Sequence, residues 1–109
     1  MAVAQVDSGT LAANGSEQTA DTISAAGAYV WVVDLSNMAS GDTVVLRVKD
    51  KVLSGGSAVL AFEQTYSGAQ AVDWVCSDVV VTAHEVTFTL HQTAGTNRNF
   101  PWSTRQVDG

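Results

Sequence analysis

The tightest constraint on this chain is a period of two that runs from Tyr29 to Thr93. Tyr29, Trp31, Val33 and Leu35 alternate with Val30, Val32 and Asp34; Val44, Leu46 and Val48 alternate with Val45, Arg47 and Lys49; Val86, Phe88 and Leu90 alternate with Glu85, Thr87, Thr89 and His91. Successive side chains of a strand point to opposite faces, so each run describes a sheet with one oily and one wetter face. No stretch repeats apolar residues at helical spacing for long enough to specify a helix. The same alternation predicts a core of Trp31, Val33, Leu35, Leu46, Phe62, Phe88 and Leu90.

Turn chemistry cuts the chain into about eight strands: 4–11, 17–23, 28–35, 43–53, 57–66, 72–81, 84–93 and 100–107. Ala13-Asn14-Gly15 and Ser54-Gly55-Gly56 are strong turn signals, because Asn and Gly tolerate positive φ. Ser36 to Asp42 is too long for a tight hairpin and reads as a short helical turn that folds Met38 onto the core and ends at Gly41. The sixth strand carries an interruption near Ser77-Asp78. Short strands at regular spacing predict an all-β chain, a single antiparallel β-sandwich that is jelly-roll-like. Periodicity does not separate a jelly roll from an immunoglobulin-like Greek key. One domain spanning 1–109 is expected, with residues 1–6 as an N-terminal arm.

Charged residues make up 15% of the 109, against about 25% in an average domain, and the net charge is −6. An acidic chain is repelled by phosphate backbones, which argues against nucleic acid as a partner. Arg47, Lys49 and Lys51 sit on alternate positions of one strand and would share a face. Such a stripe either protects an edge or docks on an acidic partner. No run approaches the roughly 20 apolar residues of a membrane helix, and the N-terminus lacks a basic region followed by an apolar stretch, so neither membrane nor signal peptide is expected. Cys76 is the single cysteine and excludes an intrachain disulfide; within Trp74-Val75-Cys76 it reads as a buried thiol.

No catalytic, cofactor-binding or metal-binding constellation emerges. His84 and His91 are an odd number of residues apart, on opposite faces, and cannot share a metal. Asp34 and Asp42 flank the Met38 loop, where Asp caps turns. Ser and Thr are plentiful but none sits in a nucleophile elbow. Tyr66, Trp74 and Trp102 raise one alternative: aromatics aligned on a sandwich face bind sugars, which would make this a carbohydrate-binding β-sandwich module. The competing reading places them in the core or a subunit interface.

Several segments carry a resemblance. Val33-Asp34-Leu35-Ser36-Asn37-Met38 with Gly41-Asp42, Lys51-Val52-Leu53-Ser54-Gly55-Gly56, Thr65-Tyr66 with Ala69-Gln70, Phe88-Thr89-Leu90, Gln92-Thr93-Ala94-Gly95-Thr96, and then Arg98, Phe100 and Trp102 follow one another in order. Together, from about Ala28 to Trp102, they resemble small virion structural proteins of tailed bacteriophages, the head decoration or cement proteins. The resemblance implies a non-enzymatic protein without cofactors, made in the host cytoplasm and placed on the capsid surface. Its partners would be the major capsid protein and copies of itself, as a homotrimer at the three-fold positions of the shell. The expected capsid contact is the uncharged arm Met1, Ala2, Val3, Ala4, Gln5 and Val6, with a salt-sensitive share from Arg47, Lys49 and Lys51.

Overall fold

The computed structural model describes residues 2–108, and all of its regular structure is strand. Nine strands follow in order: β1 (Ala2–Ala12), β2 (Glu17–Ile23), β3 (Gly27–Asp34), β4 (Thr43–Lys51), β5 (Ala58–Ser67), β6 (Trp74–Cys76), β7 (Val80–Thr82), β8 (Val86–Ala94) and β9 (Asn99–Asp108). The Val-, Thr- and aromatic-rich runs that form them suit a pleated, half-buried surface.

Pairing is nested. The β4–β5 hairpin is innermost, β3 pairs with β6 and β7, β2 with β8, and β1 with β9, all antiparallel. Two further ladders, β3 with β9 and β4 with β8, roll this long hairpin into two sheets. Sheet I has the order β1-β9-β3-β6, with β7 also on β3; sheet II has the order β2-β8-β4-β5. Nested pairs wrapped into two packed sheets are a jelly roll, which resolves the choice against the immunoglobulin-like alternative.

The expected sixth strand is two strands, for a local reason. The Ser77 hydroxyl accepts the Trp31 backbone N–H at 3.0 Å, and Ser77 N–H donates to the Trp31 carbonyl at 2.8 Å. A side chain thus takes a place in the ladder, and Ser77 to Val79 leave the strand conformation between β6 and β7. The Met38 loop is likewise not helical. It is two successive turns, closed by Met38 N–H to the Leu35 carbonyl and Asp42 N–H to the Ala39 carbonyl, each 3.1 Å. Asp34 Oδ1 holds Ser36 N–H at 2.9 Å, the turn-capping role expected of it. Met38 is buried as predicted.

The core lies between the sheets. Trp31, Val33 and Leu35 meet Leu46, Phe88 and Leu90 there, all buried, with Tyr29, Val44, Val48, Val86 and Phe100 completing it. Trp31 of sheet I and Phe88 of sheet II face each other with ring centroids 5.8 Å apart at 48°, a tilted pair that ties the two layers. Phe62 departs from expectation: it is only partly buried, because β5 is the edge of sheet II and little packs beyond it.

Candidate functional site

The expected capsid contact divides between the two sheets. Met1 lies outside the described residues. Ala2 to Gln5 pair residue by residue with Asp108 to Arg105, and the register shifts at Val6. They form the first half of an edge strand, exposed but hydrogen-bonded to β9, and not a free arm. Arg47, Lys49 and Lys51 do share the outward face of β4, but in sheet II.

The stripe is also electrically closed. Arg47 Nε donates to Glu63 Oε2 at 2.7 Å, and Arg47 Nη1 lies 3.5 Å from Glu17 Oε1. Lys49 Nζ reaches Glu17 Oε2 at 2.9 Å, and Lys51 Nζ reaches Glu85 Oε1 at 3.6 Å. The Thr89 hydroxyl donates to Glu17 at 2.6 Å; that bond and Lys49 bring the Glu17 carboxyl down to about 2. Cations of one strand meeting anions of its neighbours leave no net basic patch. The signal was present in the sequence, but pairing partners far apart in the chain had to be known to read it.

Cys76 corrects a second expectation. It is exposed. In β6 it is Val75 that turns toward the core, and the period of two then forces Trp74 and Cys76 outward. The aromatic trio is divided: Tyr66 packs partly buried against the core from sheet II, while Trp102, partly buried in sheet I, and the half-exposed Trp74 line one groove. His91 Nε2 lies 3.0 Å from the Gly15 carbonyl. Among the described residues no three His, Cys, Asp or Glu side chains gather as metal ligands.

Many of the residues that carry the phage resemblance converge on one end of the sandwich, where they hold loops together. Asp42 is almost fully buried and accepts from Ala39 N–H (2.9 Å), Thr96 N–H (3.0 Å) and Arg98 Nε (2.8 Å). The buried Gln92 amide donates to the carbonyls of Ala94 (3.1 Å) and Thr96 (2.7 Å) and accepts from Arg98 N–H (3.0 Å). Donors fixed on the Asp42 carboxylate, first Ala39 N–H and then Arg98, hold its pKa below the ordinary value. These bonds tie the β3–β4 and β8–β9 loops together.

Two surfaces remain. The first is the far end of the β4–β5 hairpin, where Val52, Leu53, Val59 and Leu60 are all at least half exposed. Val72, Val79 and Val81 are exposed as well, in and beside the β5–β6 and β6–β7 connections. These residues break the period of two: adjacent apolar residues such as Val52-Leu53 and Val59-Leu60 cannot both face a core. That irregularity was the sequence signal for this patch.

The second surface is a groove of about 260 Å³ on the outer face of sheet I. Gln5 and Ser8 come to it from β1, Asp34 from β3, Trp74 from β6, and Ser103 and Arg105 from β9. The Arg105 guanidinium sits 5.9 Å from the Trp74 ring centroid, within cation–π reach. No family model, no curated protein and no solved structure matches this chain.

Proposed function

We propose that the protein is a non-enzymatic virion structural protein of a tailed phage, a head decoration protein that binds the outside of the capsid lattice and stabilises it. Three things support the reading. The ordered sequence segments resemble such proteins. A jelly roll is a rigid, soluble frame from which a hairpin can project. The far end of the β4–β5 hairpin carries four exposed aliphatic side chains, Val52, Leu53, Val59 and Leu60, and this last observation carries the proposal.

An exposed aliphatic cluster on a small domain marks a contact with another protein. Val52, Leu53, Val59 and Leu60 would seat in an apolar recess of the shell, and the Lys51–Glu85 pair beside them would form part of a polar rim. The outer face of β4, neutralised by Glu17, Glu63 and Glu85, adds no salt-sensitive attraction of its own. Three copies around a three-fold position would engage together, and linked weak contacts gain from effective concentration. Light scattering of the free and shell-released protein reads that stoichiometry.

The test is incubation with undecorated heads. The native protein should reach saturable occupancy and raise the heat resistance of the particles. The double variant Leu53→Asp, Leu60→Asp should fold normally, since both residues are exposed, and lose occupancy. Equal occupancy of the two would remove the hairpin from the contact, and no binding of either would remove the protein from the head.

A further inference from the structure

We propose that the groove on the outer face of sheet I is a binding site for a neutral pyranose ring of a polysaccharide. The argument rests on which ligand chemistry the lining can satisfy. Val32, nearly buried, and Pro101 give an apolar floor, and the Trp74 indole, 54% exposed, forms a flat apolar wall. Around them stand an acceptor-only carboxylate (Asp34), a donor-only guanidinium (Arg105), the Gln5 amide, and the Ser8 and Ser103 hydroxyls.

A purely apolar ligand would strip water from Asp34 and Arg105 and return nothing. A phosphate or other strong anion would meet Asp34 and a chain of net charge −6. A pyranose fits both halves of the lining. Its C–H face stacks on an indole, and each of its hydroxyls donates and accepts, so that vicinal pairs can bridge a carboxylate and a guanidinium. The groove is an open trough, suited to one unit of a longer chain that continues beyond it.

Arg105 now caps the Trp74 ring where a sugar would lie. Its Nε donates to Ser103 Oγ at 3.3 Å, long for an N–H···O bond, so swinging aside gives up that weak bond and the cation–π contact and gains a sugar hydroxyl and a stacked ring in exchange. Asp34 is fixed by Ser36 N–H through Oδ1, which leaves Oδ2 for a ligand. The hairpin tip projects from sheet II, so a protein docked by that tip keeps this face of sheet I open.

The experiment is an NMR titration with methyl glycosides of common hexoses and with their oligosaccharides. The expected result is a saturable shift of the Trp74 indole N–H and of the Ser103 amide, with the Trp31 indole unmoved. Read at the Ser103 amide, Trp74→Ala and Asp34→Asn should each weaken binding by about tenfold or more, while Trp74→Phe retains most of it. Melting temperatures should stay at the native value, because Trp74 is exposed and Asn preserves the bond to Ser36. Three results would overturn the proposal: no shift with any sugar of the panel, unchanged affinity in Trp74→Ala, or binding of uronic acids without binding of neutral sugars, which would make Arg105 an anion anchor. Head occupancy is measured separately and is independent of all three.

Discussion

Arg98 Nε donates to Asp42 Oδ2 at 2.8 Å, joining two residues 56 positions apart. The bond closes one end of the jelly roll, where the β3–β4 and β8–β9 loops meet. Thr96 N–H lands on the other oxygen of the same carboxylate, at 3.0 Å. Gly95 makes the approach possible: a Cβ there would collide with Asp42, and its φ of +89° is one that L side chains rarely adopt. Gly41, beside Asp42, has a similar φ of +92° but open space around it.

These two glycines separate strain from collision. Gly41→Ala incurs the backbone term alone, about 1 kcal/mol. Gly95→Ala incurs that term and also displaces the Asp42 carboxylate, so it should cost clearly more. Urea denaturation of both variants checks the order. Equal costs would show that the loops relax around the added methyl.

Two carboxylates should leave opposite marks on the pH dependence of stability. Glu17 is held at about 2, below its ordinary 4.5, by the Thr89 hydroxyl and Lys49. It stabilises the fold above pH 4.5 and loses that contribution as pH falls toward 2. Asp21 is pushed above its ordinary 3.8 by burial and by the neighbouring Asp7 carboxyl, against the bond from Thr104. Its favourable state is the protonated one, present below pH 3.8 and lost as pH rises through the raised value. Glu17→Gln should therefore be less stable than the native protein at neutral pH, and Asp21→Asn more stable. Both differences should shrink in acid, as thermal melts across that range would show.

Phe88→Ala should cost about 3–5 kcal/mol, because the ring is fully buried and removes the partner of Trp31. Phe62→Ala should cost less, since one side of that ring already meets solvent at the β5 edge. An unchanged unfolding curve for the Phe88 variant would contradict the assignment of the sandwich interior.

The period of two made most of this legible. It located the strands within a few residues, chose the buried face of β3, β4 and β8, and predicted the sandwich. What it missed depended on distant partners. Glu17, Glu63 and Glu85 lie beside Arg47, Lys49 and Lys51 only through sheet register. Asp42 caps its own turn at Ala39 N–H, as its position implied, but its further bonds from Thr96 and Arg98 were out of sight. Cys76 read as buried because a short apolar run does not say which of its residues faces in. The hairpin tip was visible as broken alternation, but its meaning needed the burial of everything else.

Cys76 gives a direct check of that last face assignment. One equivalent of thiol should react with a maleimide in the native protein without denaturant. Protection until unfolding would turn β6 over and bury Cys76 in place of Val75.

The proposal that the chain decorates a phage head is tested most directly by counting. Quantitative mass spectrometry of purified virions, scaled to the major capsid protein, gives the copies per particle. A lattice-bound protein should be present in hundreds of copies, in a fixed ratio to the capsid subunit, and should leave the particle when Leu53 and Leu60 are both changed to Asp. A handful of copies, or none, would contradict attachment to the head.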